Sequence, residues 1–88
     1  AVIRLMNNID NLREALQFSP ENIPLRLHLA NTLLLVGNLD ESEKEFKTVL
    51  GYQPFNIKAK FGLAQTYNQK GQVTTAIVIL EELSQNPE

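Results

Sequence analysis

The sequence contains no cysteine and no tryptophan, and its only histidine is His28. Without cysteine there is no disulfide framework, no thiolate nucleophile and no cysteine ligand for zinc. A lone histidine has no partner for a nucleophile pair, and on a helix it is more often a surface residue than a ligand. The four glycines are isolated from one another, so no phosphate-binding loop is indicated. We predict that this segment is not an enzyme and holds no metal or cofactor.

Long apolar runs and a strong net charge are missing as well. The longest apolar runs, near residues 33–36 and 77–80, are far shorter than the roughly 20 residues that a membrane-spanning helix needs. The net charge is −2 with both signs interspersed, which is too weak to attract nucleic acid or an anionic membrane. The chain begins abruptly, without methionine or a signal-peptide pattern. We predict a soluble, cytoplasmic piece of a longer protein, with no membrane insertion and no nucleic-acid partner.

The sequence instead contains a repeat with a period of 34 residues, since Pro54 follows Pro20 by 34 positions. The same offset separates Ile23 from Ile57, Leu29 from Leu63, Ala30 from Ala64, Thr32 from Thr66 and Gly37 from Gly71. A fixed period of this length is typical of stacked helical repeats.

Within each period the apolar residues have the spacing of α-helices, at steps of three and four. The predicted stripes are Leu5, Ile9, Leu12 and Leu16; Leu25, Leu29, Leu33 and Val36; Phe46, Val49 and Leu50; Ala59, Leu63 and Tyr67; and Ile77, Leu80 and Leu83. These stripes predict five helices, the last of them ending at Asn86 and Pro87. The short loops between them imply antiparallel neighbours.

The predicted helix ends depend on turn and capping residues. Gly37 and Gly71 are predicted to turn the chain in the left-handed conformation that glycine adopts without steric penalty. Asp40 is the predicted N-cap of the third helix, with Glu43 completing a capping box, and Thr74 is the predicted cap of the fifth.

An acidic cluster begins the third predicted helix. Its members are Asp40, Glu41, Glu43 and Glu45. Carboxylates are favourable at a helix N-terminus, and these can also pair with Lys44 and Lys47. We predict that the cluster is a solvated helix face.

These residues resemble the tetratricopeptide repeat, a 34-residue pair of antiparallel helices. The matching positions are Leu29, Ala30, Leu33, Gly37, Ser42, Phe46 and Pro54, and then Leu63, Ala64, Tyr67, Gly71, Ala76, Leu80 and Leu83. Arg26 and Lys60 depart from the family pattern, which often has tryptophan there. The resemblance implies an all-α fold of antiparallel helix-turn-helix repeats, stacked as a short right-handed α-solenoid of about five helices. Residues 1–88 would form one domain, with 6–22 as the second helix of a partial repeat, 23–56 as a full repeat and 57–88 as a nearly full one.

The resemblance also implies a function, because in this family the first helices of each pair line a concave groove that binds a peptide or partner protein. The groove positions are Pro24, Leu27, Asn31, Leu34, Leu35, Lys58, Phe61, Gln65, Asn68 and Gln69; the candidate binding residues are Leu27, Asn31, Leu34, Lys58, Phe61, Gln65 and Asn68. Side-chain amides can pair with a peptide backbone. Solvated surface is the alternative interpretation, and Leu27 and Phe61 are also compatible with the core. The basic clamp that some members use for chaperone C-termini is incomplete, so we predict no such ligand.

The last predicted helix is apolar on every side at residues 77–80, which is typical of a buried helix. Either further repeats cover it, or two copies of the chain pack through Val78 and Ile79 as a homodimer. Changing both residues to lysine is expected to leave the fold intact. The alternative function is therefore a recruiting or oligomerisation arm of a larger multidomain enzyme, such as an ATPase.

Overall fold

A computed structural model describes residues 2–85, which form five α-helices. The helices are α1 (Val2–Phe18), α2 (Ile23–Val36), α3 (Leu39–Tyr52), α4 (Ile57–Gln69) and α5 (Val73–Gln85). Each helix packs against the next one in the chain, and α2 also contacts α4. This arrangement confirms the predicted all-α helical repeat. No helix within the described range is long and apolar enough to cross a membrane. The predicted end of the last helix, at Asn86 and Pro87, lies outside the described residues.

The turns inside the two helix pairs are built alike. Gly37 and Gly71 have φ values of 84° and 85°, which confirms the predicted left-handed turns. In the first turn the N–H of Asn38 donates to the carbonyl of Leu33 at 2.9 Å, and the second turn has the equivalent bond at 2.8 Å. A residue with a Cβ would be strained in this conformation, so glycine allows both pairs to close tightly.

The helices α2 and α4 begin at equivalent asparagines. Oδ1 of Asn22 accepts a hydrogen bond from the N–H of Leu25 at 3.1 Å, and Oδ1 of Asn56 accepts one from Ala59 at 2.8 Å. Each bond satisfies a backbone donor that the first turn of a helix leaves without a partner.

The predicted caps of α3 and α5 are wrong. Helix α3 starts at Leu39 and α5 at Val73, so Asp40 and Thr74 lie inside the first turn. The physical reason is the tight glycine turn, which leaves a single residue between glycine and the helix. Asn38 therefore occupies the cap position of α3, although its side chain forms no capping hydrogen bond.

Apolar side chains form two core clusters. The first lies between α1 and α2 and contains Ile9, Leu12, Leu16, Leu29 and Leu33, with Leu25 and Val36 packed against it. The second joins α2 to α5 and contains Ala30, Phe46, Val49, Ala59 and Leu63, with Ile23, Leu27, Leu50, Tyr67 and Ile79 packed against it. Burial of these faces is the main stabilising contribution in such a stack.

Small residues allow α2, α3 and α4 to approach one another closely. Ser42 and Thr66 are fully buried, and Oγ of Ser42 donates to the carbonyl of Ala30 at 2.9 Å. Oγ1 of Thr66 donates to the carbonyl of Gly62 at 2.8 Å. Both hydroxyls are therefore satisfied without widening the helix spacing.

Candidate functional site

The seven predicted binding residues lie in three concavities, two of which share Gln65. The α2–α4 hollow is lined by Asn31, Leu34, Leu35, Gln65 and Gln69. The α4–α5 groove is lined by Phe61, Ala64, Gln65, Asn68, Val73, Ala76, Ile77 and Leu80. The loop hollow is lined by Ile23, Pro24, Leu27, Gln53, Phe55, Asn56, Ile57 and Lys58.

The α2–α4 hollow combines amides with leucines. Asn31 and Gln65 are equivalent residues, 34 positions apart, and both are exposed. Leu34 forms a buried part of the lining, whereas Leu35 is 75% exposed. The volume is about 380 Å³, which suits a few side chains of a bound segment. This hollow can offer hydrogen-bond donors, acceptors and apolar contact together.

Two of the predicted binding residues, Leu27 and Lys58, lie in the loop hollow and not in the α2–α4 hollow. Leu27 is half-buried and packs against the second core cluster, so part of its side chain belongs to the core. Lys58 is exposed at the start of α4. Nearby, the ammonium group of Lys60 lies 5.7 Å from the centre of the Phe55 ring, a cation–π contact.

The acidic cluster is not a solvated face throughout, because Glu45 is buried. Nη1 of Arg26 donates to Oε1 of Glu45 at 2.7 Å, and Nη2 of Arg26 donates to the carbonyl of Pro20 at 2.6 Å. The side chains of this ion pair are 13% and 12% exposed. The prediction for Glu45 failed because it considered the third helix alone, whereas the partner cation comes from α2.

Glu43 is the centre of a second network between α3 and α4. Its carboxylate contacts the ammonium groups of Lys47 and Lys70, each at 2.7 Å, and accepts a hydrogen bond from the hydroxyl of Tyr67 at 3.0 Å. The hydrogen bond from Lys47, followed by that from Lys70, lowers the pKa of Glu43 to about 2. Lys70 also contacts Asp40 at 2.8 Å, and these two carboxylates raise the pKa of Lys70. Glu43 therefore joins two helices.

Glu41 connects α3 to α1. Nε of Arg13 donates to Oε2 of Glu41 at 2.9 Å, and this guanidinium holds the pKa of Glu41 below its ordinary value. The members of the acidic cluster thus bind cations of the chain itself. Within residues 2–85 no group of three histidine, cysteine or acidic side chains is arranged to hold a metal ion.

The two predicted self-association residues of α5, Val78 and Ile79, differ in their surroundings. Ile77, Val78 and Leu80 are 48%, 51% and 41% exposed, whereas Ile79 packs against the second core cluster. Val78 and Ile79 therefore point to different surroundings. Changing both to lysine would disturb the core as well as the surface. The side of α5 that lies beside α4 is apolar and exposed at Val73, Ile77 and Leu80. Phe61 of α4 lies across the groove from them.

The sequence of this chain is similar to those of known proteins. A family model described as "Tetratricopeptide repeat" matches residues 9–56. A Mus musculus protein, "Interferon-induced protein with tetratricopeptide repeats 3", is 34% identical over 73 residues. The match covers 83% of this chain and 18% of that protein, so the chain spans about a fifth of the length of this curated relative.

Proposed function

The chain belongs to the tetratricopeptide repeat family, whose members are protein-interaction modules, and we propose that it binds a partner protein by holding a peptide segment in the α2–α4 hollow. The observation that supports this proposal is the pair of equivalent exposed amides, Asn31 and Gln65, on neighbouring helices beside leucine side chains.

The chemistry of the hollow matches that of a peptide in extended form. Each peptide unit has one N–H donor and one C=O acceptor, and a side-chain amide can serve both. Asn31, Gln65 and Gln69 can therefore bind the backbone, while Leu34 and Leu35 contact apolar side chains. Such a site recognises a segment mainly through its backbone and its apolar residues.

The lining of the α2–α4 hollow has no charged residue. Lys58, the basic residue among the predicted binding residues, lies in the loop hollow instead. The proposed ligand is therefore an uncharged, partly apolar segment within a protein chain, and a free C-terminal carboxylate is not required. Binding of this kind depends little on salt concentration, since screening acts on exposed charges.

A displayed library of random peptides, selected against the chain, tests this proposal. We expect the selected peptides to lose at least about tenfold in affinity when Asn31 and Gln65 are both changed to alanine, as measured by calorimetry. Gln17→Ala is the matched control, because it removes an exposed amide on α1 outside the hollow. Circular dichroism shows whether the variants keep their helices. The proposal would be contradicted if the library gave no binders, or if the double substitution left the affinity of the selected peptides unchanged.

A further inference from the structure

The α2–α4 hollow and the loop hollow follow one another along the same two helices. The loop hollow is lined in part by the first turns of α2 and α4, which contain Pro24 and Lys58. The α2–α4 hollow begins seven positions later in each helix, at Asn31 and Gln65. Seven positions are about two helical turns, so these residues lie on the same face as Pro24 and Lys58. A segment that leaves the α2–α4 hollow towards the start of the two helices therefore reaches the loop hollow.

The loop hollow differs from the α2–α4 hollow in its charge. Lys58 lines it, is exposed, and makes no salt bridge within residues 2–85. A second cation is near, since the ammonium group of Lys60 lies 5.7 Å from the ring centre of Phe55, which also lines the hollow. The lining has no acidic residue, and its apolar members are Ile23, Pro24, Leu27, Phe55 and Ile57. A carboxylate of a ligand would therefore meet a cation in this hollow and no opposing charge among the lining residues.

The helix geometry sets the distance between the two hollows. The residues that line the α2–α4 hollow lie seven to eleven positions after Pro24 in α2 and after Lys58 in α4. A helix rises about 1.5 Å per residue, so these positions are about 10 to 16 Å away along the helix axes. An extended peptide advances about 3.3 Å per residue and therefore covers that distance with about three to five residues.

We propose that the segment held in the α2–α4 hollow also places an acidic side chain in the loop hollow, where its carboxylate pairs with Lys58; this step rests on the proposed function. The acidic residue lies about three to five positions from the apolar residue that contacts Leu34 and Leu35. It lies on one side of that residue only, because the loop hollow is at one end of the α2–α4 hollow. The part of the segment inside the α2–α4 hollow stays uncharged. Lys58 thus gives the bound segment a direction, and because Lys58 is exposed the pair changes the affinity only severalfold.

An array of eleven-residue peptides with capped termini tests the proposal. Each peptide has leucine at its centre and one other position occupied in turn by aspartate, asparagine or lysine, with mixtures of uncharged residues elsewhere. We expect aspartate to bind about threefold more tightly than asparagine at positions three to five from the leucine, on one side only, with lysine weakest there. Fluorescence anisotropy of the matched aspartate, asparagine and lysine peptides measures the affinities.

Lys58→Glu should reverse this order, so that lysine binds more tightly than aspartate at the same positions. Lys44→Glu is the matched control, because it makes the same charge change at an exposed lysine of α3 that lines neither hollow, and it should leave the order unchanged.

Two results would overturn the acidic preference while leaving the α2–α4 hollow as the peptide site: equal affinities for aspartate and asparagine, or an order that survives Lys58→Glu. If the peptides bound equally well after the double substitution Asn31→Ala with Gln65→Ala, the proposed function itself would be contradicted, and with it the shared segment. An array that gave no binder at all would contradict both.

Discussion

The two helix pairs of this protein, α2 with α3 and α4 with α5, share their turns but differ in how their interiors are stabilised. The first pair contains the buried ion pair of Arg26 and Glu45. Thirty-four residues later the equivalent positions hold Lys60, which faces the Phe55 ring, and Ile79, which packs against the core. The same arrangement of two helices therefore accommodates an ion pair in one repeat and an apolar contact at the equivalent positions of the next.

The first pair is covered on both sides, by α1 and α4, and the second pair on one side among the described residues. A buried ion pair is stabilising only if further hydrogen bonds compensate for the loss of hydration. Arg26 has such bonds to Glu45 and Pro20, but its Nε is buried without a hydrogen-bond partner in residues 2–85. The ionic contact therefore adds little to stability relative to a well-packed apolar pair at the same place.

The largest expected effect comes from breaking the ion pair in the first helix pair. Glu45→Ala should lower the free energy of unfolding by about 3 kcal/mol, because it leaves the Arg26 charge buried and unpaired. The double variant Arg26→Leu with Glu45→Ile should stay within about 1 kcal/mol of the native chain, since apolar residues replace the whole pair. Urea denaturation followed by circular dichroism measures both. A loss below about 1 kcal/mol in Glu45→Ala would mean that water solvates Arg26.

The close approach of α4 to α3 gives the second prediction. Gly62→Ala should destabilise the fold by about 2 kcal/mol, because the new Cβ would overlap the Phe46 ring. Phe46→Leu, which copies the residue of α1 and α5, should remove most of that penalty in the double variant. Gly51→Ala is the control, since open space surrounds its Cβ position within α3 and alanine favours a helix by up to about 1 kcal/mol. Equal effects of the two alanines in urea denaturation would contradict this explanation.

Glu43 makes the stability of the fold depend on pH, whereas Ile77, which lies 34 positions later, has no group that titrates. The folded pKa of Glu43 is about 2, below the ordinary value of 4.5, so ionised Glu43 stabilises the fold above pH 4.5. That contribution is lost as pH falls from 4.5 towards 2, and we expect it to be about 1 to 2 kcal/mol.

Glu43→Gln removes this titration while keeping a similar shape. The native chain should therefore be more stable than the variant at pH 7, and the difference should shrink as the pH approaches 2. Thermal unfolding at a series of pH values measures it. A difference that is the same at pH 7 and at pH 2.5 would show that the networks of Lys47 and Lys70 do not depend on this carboxylate.

The smallest expected effect concerns the helix caps, which distinguish the start of α4 from that of α3. Asn56→Ala removes a side-chain hydrogen bond to the first turn and should cost about 1 kcal/mol. The side chain of Asn38 makes no capping hydrogen bond but donates to Glu41. Asn38→Ala loses only this exposed contact and should therefore lower the free energy of unfolding by about a few tenths of a kcal/mol. Chemical denaturation of both variants measures the difference, and equal costs would contradict the assignment of the caps.

The fold could be predicted to a large extent because its signals are local. The 34-residue offset, the glycines at 37 and 71 and the apolar stripes of the first four helices describe single turns or single helix faces. The errors at Asp40, Thr74 and Glu45 have one source. Each residue was interpreted within its own segment, whereas its role depends on where the preceding turn ends or on a cation from another helix.

The candidate sites could be predicted less well, since a site requires residues from different helices. Asn31 and Gln65 were both predicted to be groove residues, and the structure places both in the α2–α4 hollow, where peptide binding stays a prediction. Val78 and Ile79 were predicted as self-association residues, and in the structure Val78 is exposed whereas Ile79 packs against the second core cluster. The apolar run at residues 77–80, where the preceding repeat has charged residues, marked α5 as unusual but did not show which of its residues are exposed.

The number of helices, the two glycine turns and the repeated helix pair follow from the sequence alone, because periodicity and backbone conformation are properties of neighbouring residues. Three outcomes depend on tertiary packing: Glu45 pairs with Arg26, Glu43 joins α3 to α4, and Ile77 and Leu80 are exposed. Those outcomes depend on the distance and orientation of helices that are far apart in the chain. A charge or an apolar side chain acquires its role from what packs against it.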